Sequence, residues 1–310
     1  MILPQPRGPL SSGVVRYLRG LDSTPPLPIA AARTSEAALG DEDLQLSLYI
    51  CYELHYRGFD DATVEAEWEP SLLTFRAALE RDFVAALDLT VPKRDVDPDE
   101  VGSLLFELAA ADERPSLARH LGSSGTIEQF REFAIHRSAY QLKEADPHSW
   151  AIPRLEGPAK AALLEVQFDE YGSGRADRMH AHLFARAMEA MGLDSAYGAY
   201  LDDLPAETLA TVNLMTMLGL QRRRRGAIVG HLAMFEITSA EPNRRYANGL
   251  RRLGLEAATD FFDEHVEADS VHENIAAYDL AGGLARQEPE LASDILFGAR
   301  ALLCLEDRFA

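Results

Sequence analysis

The chain has 310 residues, with 30 Lys and Arg set against 50 Asp and Glu, for a formal net charge of -20. Such a chain repels polyanions, whereas a nucleic-acid partner needs a basic surface that displaces counterions from phosphates; the local basic run Arg222 to Arg225 is too short to reverse the balance. Hydrophobic residues at 47% and charged residues at 26% are the mix of a folded chain rather than a disordered one, and the length allows a core able to hide a buried site.

Residues 1–43 hold Pro4, Pro6, Pro9, Pro25, Pro26 and Pro28 and read as an extended Pro-rich arm on the surface, with a short helix around Val14 to Leu18. The opening MILPQPRGPLSSG lacks the basic and apolar regions of a signal peptide. No run approaches the roughly 18–20 apolar residues of a membrane span. A cytoplasmic address with no membrane partner is therefore expected. Residues 44–310 read as a single all-helical domain. Apolar residues recur at three- and four-residue spacing in Leu44 to Tyr56, Pro70 to Leu87, Glu100 to Ala111 and Thr126 to Lys143. The same spacing continues in Pro158 to Tyr171, Ala176 to Met191, Ala206 to Leu218, Gly226 to Thr238, Thr259 to Leu280 and Pro289 to Leu305. Breaks are expected at Asp146-Pro147, Gly172-Ser173-Gly174, Asp203-Leu204-Pro205 and Glu241-Pro242. Cys51 and Cys304 lack any paired spacing and read as buried apolar side chains. The fold class is all-α.

Titratable groups on the apolar face of a helix cost free energy unless something pairs them, so misplaced His, Asp and Glu carry the functional signal. His265, Asp269 and His272 stand at i, i+4 and i+7, within about 60° of one another, beside Phe261, Phe262, Ala268 and Ala276. Glu236 lies among Val229, Leu232 and Ala233, whereas His231 points the opposite way. Glu170 shares a face with Ala159, Leu163 and Val166, and His180 with Leu183, Phe184, Ala187 and Met191. Three carboxylates and three imidazoles from four helices suit two metal ions with open positions. The plainer alternative is a set of core histidines bridged by carboxylates.

These elements, EYGSGRADRMH (Glu170 to His180), FEIT (Glu236) and HVEADSVH (His265 to His272), resemble the haem-oxygenase-like di-iron oxidases and oxygenases, the iron-containing redox enzymes. The likeness is best from about Lys143 onward and looser over residues 44–142. It implies a haem-oxygenase-like helical bundle with additional N-terminal helices and a metal-ligand core within residues 156–280. It further implies two ferrous ions, dioxygen as co-substrate and no haem. Glu170, His180, Glu236, His265, Asp269 and His272 would be the metal-ligating and catalytic residues, with Asp269 and its flanking histidines on a second, labile iron site. The ferritin-like alternative uses Glu-x-x-His motifs, which are missing here; Asp177 stays in reserve as a further ligand. The implied activity is N-oxygenation of a small amine or amino-acid-like substrate. Oxidative C–C or C–H cleavage of an amino or fatty acid, or a non-catalytic metal-binding module, are the alternatives. An electron donor and a homodimer are carried over as partners.

Several groups remain ambiguous. The Arg222 to Arg225 run is either a solvated loop or a clamp for a substrate carboxylate. Glu53 and His55 diverge by about 160° on a helix and cannot both face one metal. Tyr52, Tyr56 and Tyr171 are each able to hydrogen-bond a substrate amine.

Overall fold

The computed structural model describes residues 1–24, 36–111 and 116–310; Pro25, Pro26 and Pro28 of the expected arm lie outside them. Among the described residues there is no strand. The helices are α1 (Pro9–Leu18), α2 (Glu42–Glu53), α3 (Pro70–Thr90), α4 (Val101–Ala110), α5 (Leu117–Ser124), α6 (Ile127–Gln141) and α7 (Asp146–Ser149). They continue as α8 (Gly157–Glu170), α9 (His180–Ala190), α10 (Ala206–Leu220), α11 (Arg225–Arg252), α12 (Asp260–Asn274), α13 (Gly282–Gln287) and α14 (Ala292–Phe309). A π-helical stretch, Ile275–Ala281, joins α12 to α13.

The proline-rich start is more structured than its composition suggests. In α1, Leu10, Val14, Val15 and Leu18 are buried, and the Asp43 carboxylate of α2 accepts from the Leu10 and Ser11 amides at 2.8 and 2.7 Å. Those apolar positions fall on one helical face, so burial and a borrowed carboxylate cap overcome the prolines around them. Leu117–Ser124 and Asp146–Ser149 are helices that the apolar spacing did not signal, both being short. Nor does Glu241-Pro242 break the chain: α11 runs through Pro242 for 28 residues, about 42 Å. Proline removes one backbone donor and costs about 3 kcal/mol in a helix interior, yet α11 packs along its length against α5, α12 and α14. Asn243 Nδ2 also donates to the Ser239 carbonyl at 3.1 Å and to its hydroxyl at 2.8 Å.

Two apolar clusters make the interior. The larger joins α1, α2, α3, the α10–α11 region and α14, and the smaller joins α5, α6, α9, the end of α11 and the start of α12. α2 and α10 are buried nearly all round, so their polar side chains pair internally; Asn213 Nδ2, for one, donates to both the Gln45 carbonyl and side-chain oxygens at 2.8 Å. The polar residues singled out by the sequence fall where the clusters meet. Val166, one turn before Glu170, belongs to the larger cluster; Leu183 and Phe184, just after His180, belong to the smaller. No helix among the described residues is long and apolar enough to cross a membrane.

Candidate metal centre

Four helix segments deliver the site. α8 ends on Glu170, and α9 begins on His180 after a tight connection in which Gly172 adopts φ 66°. A Cβ at Gly172 would collide with the backbone of Arg178 and Met179, so only glycine lets the chain double back here. α11 brings Glu236, and one face of α12 brings His265, Asp269 and His272. All six side chains are buried, at 7% exposure or less.

A seventh residue joins them. Glu144, 4% exposed, follows α6 and precedes Ala145, which takes a left-handed backbone at φ 73°. That conformation is unfavourable for an L-residue with a side chain, and it is held by bonds from the Gln167 side chain (3.0 Å) and the Ser149 amide (3.1 Å) to the Ala145 carbonyl. The ligand atoms form two groups, each within 4.8 Å: Glu144, Glu170, His180 and His265, then Glu170, Glu236, Asp269 and His272. Glu170 is common to both. The i, i+4, i+7 trio on α12 is therefore divided, His265 going to the first group and Asp269 and His272 to the second. This corrects the expectation that all three lie at one iron.

The protons are arranged for metal binding. His265 Nδ1 lies 2.8 Å from the Phe261 carbonyl and donates to it, so Nε2, 3.4 Å from Glu144, is the nitrogen that would offer a lone pair to a metal on losing its proton. His272 Nε2 is 3.1 Å from the half-exposed Asp169 carboxylate, leaving Nδ1 to face Glu236 at 3.5 Å. Asp169 thus orients His272 from outside the ligand set. His180 Nδ1 stands 3.0 Å from Glu170.

Burial and mutual charge pull the titrations apart. Burial opposes ionisation of Glu170, but the charges on His180, His265 and His272 hold its carboxyl at about 2. Burial pushes Glu236 up to about 8, against its hydrogen bond to His272, with the Asp269 and Glu170 charges adding to the rise. Desolvation disfavours imidazolium at His272, yet Glu236 and Asp169 raise it to about 9. His180 and His265 rise likewise, through Glu170 and Glu144 respectively, against the cost of burial. Without metal, protons on the imidazoles supply the positive charge that the carboxylates require.

The donor set fits iron. Three imidazole nitrogens and four carboxylates are ligands that first-row divalent metals accept. Glu144 Oε2 and Asp269 Oδ2 are buried without a hydrogen-bond partner in the chain, an arrangement costly for a protein site with nothing else to bind, while His180 Nδ1 and His272 Nδ1 face only the carboxylates of Glu170 and Glu236. Glu144, Glu170, Glu236, His265 and Asp269 also line a common void of about 10 Å³, on the scale of a single small guest.

Beside the first group a cavity of about 220 Å³ opens, walled by Phe133, Phe184, Phe235, Tyr246, Phe261 and Phe262. His265, Phe235 and Ser239 line both this cavity and the void among the ligands, so His265 stands at the junction.

The other candidates lie elsewhere. Asp177 is exposed and pairs with Arg175 at 3.1 Å. Glu53 is fully buried against Lys143 (2.8 Å) and the Tyr197 hydroxyl (2.7 Å), while His55 contacts Glu67 and Arg76. The Tyr52, Tyr56 and Tyr171 hydroxyls are engaged by Glu80, Thr216 and Asp146. In the basic run, Arg225 pairs with Glu288, Arg224 lies 3.9 Å from Asp294, and Arg223 bonds to Gln221. None of the run's arginines lines the cavity.

Sequence comparison agrees with this architecture. A 167-residue stretch, 54% of the chain, is 29% identical to nitrosourea synthase of Streptomyces achromogenes subsp. streptozoticus, and covers 36% of that protein. The chain thus spans about a third of the length of this curated relative. The family model for iron-containing redox enzymes matches residues 131–307, a span that takes in Glu144 and the six ligand candidates. Covering more than half of the sequence, that match makes this chain a member of the iron-containing redox enzyme family, an oxidoreductase.

Proposed function

We propose that the chain holds two iron ions and uses dioxygen to oxygenate nitrogen in a small amine or amino-acid-like substrate. The observation that carries this reading is the pair of four-ligand groups joined at Glu170, with His265 opening onto an aromatic cavity. Glu144, Glu170, His180 and His265 would hold one ion, and Glu170, Glu236, Asp269 and His272 the other. Ferrous iron, when bound, supplies the electrons that reduce dioxygen, chemistry that side chains cannot provide.

The chain's own residues supply the rest. The Phe261 carbonyl and Asp169 fix the tautomers of His265 and His272, and the phenyl walls exclude water from the reacting end of the cavity. A non-catalytic metal module would be expected to close its ligand set; here a cavity reaches the ligands. Nitrogen as the target is supported by the relative, whose named product, a nitrosourea, carries an oxidised nitrogen. Nothing in the ligand set calls for haem, which takes an axial ligand over a roomy pocket.

The test is anaerobic reconstitution of the full chain with ferrous iron, followed by mixing with oxygen and candidate amines. The expected outcome is two irons per chain, iron oxidation that amine substrates accelerate, and products heavier by one or more oxygens on nitrogen. Zinc bound tightly with no oxygen uptake, or products cleaved at carbon with nitrogen untouched, would refute the proposal.

A further inference from the structure

Of the seven ligand candidates, Glu144 alone lies outside a helix, between the end of α6 and the start of α7. Its amide reaches the Gln141 carbonyl only at 3.4 Å. Its carboxylate stands 3.4 Å from His265 through Oε1, and Oε2 has no partner in the chain. Neither a helical ladder nor the carboxylate's own bonds aim this ligand, so its neighbours along the chain must. Downstream, Ala145 is pinned through its carbonyl by Gln167 and Ser149.

Upstream, the corner is tied to α2. The Leu142 carbonyl accepts from Arg57 Nη2 at 3.1 Å, and Lys143 Nζ donates to Glu53 Oε2 at 2.8 Å, with Lys143 2% exposed and Glu53 wholly enclosed. The Tyr197 hydroxyl donates to the same Glu53 oxygen at 2.7 Å. The rings of Tyr56 and Tyr49 lie 4.3 and 5.0 Å from the ammonium, close enough for cation–π attraction. Tyr49, Glu53 and Tyr56 stand at i, i+4 and i+7, so one face of α2 and the turn after it forms the socket. Apolar residues of similar size stabilise a core about as well as a buried ion pair, but they fix no direction. A bonded ammonium in a socket does, and Glu144 is the next residue along the chain.

We propose that the Lys143–Glu53 pair positions the first ligand group: it ties the corner after α6 to α2 and thereby aims the Glu144 carboxylate at the metal. Lys143 lines neither the aromatic cavity nor the void among the ligands, so it is a positioning residue rather than a catalytic one. Glu53 and α2 precede the family-matched span of residues 131–307, which gives the N-terminal helices a part in metal binding. This inference rests on the reading that Glu144 is a metal ligand.

Cobalt(II) titration of the metal-free full chain, read by visible absorption, tests it. The parent should bind two ions and Glu144→Ala one. Lys143→Met, and the paired Lys143→Met/Glu53→Gln variant that removes both charges without stranding one, should weaken one ion by about 10–100-fold and leave the other within about twofold. In a Glu144→Ala background the paired substitution should leave the remaining ion within about twofold, because the pair acts through Glu144; a contribution to the fold alone would weaken that ion too. Gln45→Leu, which breaks the bond from Asn213 to α2 without touching the corner, should lower stability yet keep both ions. The proposal is overturned if the paired variant binds both ions as the parent does, if it unfolds by circular dichroism, if its effect persists without Glu144, or if Gln45→Leu loses an ion in the same way. A Glu144→Ala chain that still binds two ions, or a parent that binds none, defeats the ligand reading and this inference with it. Loss of one ion in Glu144→Ala but none in the Lys143 variants defeats this inference alone.

Discussion

Glu170 occupies the one position from which a single carboxylate serves both ligand groups, and this gives the site a testable hierarchy. Removing it withdraws a ligand from each group and exposes His180, His265 and His272 to one another's charge. Glu170→Ala should therefore reduce iron from two per chain to near zero, whereas Glu144→Ala and Asp269→Ala should each leave about one. Elemental analysis after anaerobic loading reads the counts, with circular dichroism to show that helix content is kept; equal loss in all three variants would refute the shared role. Six of these seven ligand candidates were legible in the sequence because each is a titratable group amid apolar neighbours at helical spacing. Glu144 was not, since it sits beside Lys143 in QLKEADPH, which reads as a charged helix end. The missed signal was the seven-residue period Phe130, Arg137, Glu144, with Phe133, Tyr140 and Gln141 between, which carries the inward face of α6 beyond its last turn. Lys143 is itself buried, its ammonium bonded to Glu53, so neither charge at this corner is solvated.

At the scale of elements, the spacing of the helices decides whether those ligands converge, and α11 is the one that touches most of the others. It meets α14 through glycine on both sides: a Cβ at Gly230 would overlap the Ile295 carbonyl, and a Cβ at Gly298 the Ala227 carbonyl. Both obstacles are backbone, so no side chain can turn aside to make room. Gly230→Ala should cost about 1–3 kcal/mol by forcing the helices apart, although alanine is the better helix former by about 1 kcal/mol. Chemical denaturation checks the direction; a variant more stable than the parent would mean that the helices separate freely. The same scale shows why helix existence was easier to read than helix ends. Amphipathic segments such as α9 and α14 announce themselves by period, and their bounds shift by a few residues. Pro242 misled because local propensity opposes a helix there while packing on several sides sustains it. The π-helical stretch after His272 leaves no mark on the apolar pattern, which runs unbroken from Phe261 to Leu280.

For the molecule as a whole, the site lies between two apolar clusters and draws ligands from segments that are otherwise independent: the end of α6, α8 with α9, α11, and α12. A metal bound there ties the clusters together and, because the unfolded chain has no such arrangement, its binding free energy adds to folding stability. With free ferrous iron at a thousand times its dissociation constant, the gain per site is about 4 kcal/mol, which for a chain of this size raises Tm by roughly 5–10 °C. The acidic surface complicates the measurement, because a net charge of -20 lets any divalent cation screen self-repulsion and stabilise the fold a little. Magnesium at the same concentration separates the effects, since it screens equally but retains its waters and prefers oxygen ligands to imidazole. Ferrous iron should raise Tm well beyond magnesium, a chelator should reverse the difference, and Glu170→Ala should respond to both cations alike. Equal shifts with iron and magnesium in the parent chain would mean that the ions bind the surface and that the buried carboxylates and histidines pair only with one another.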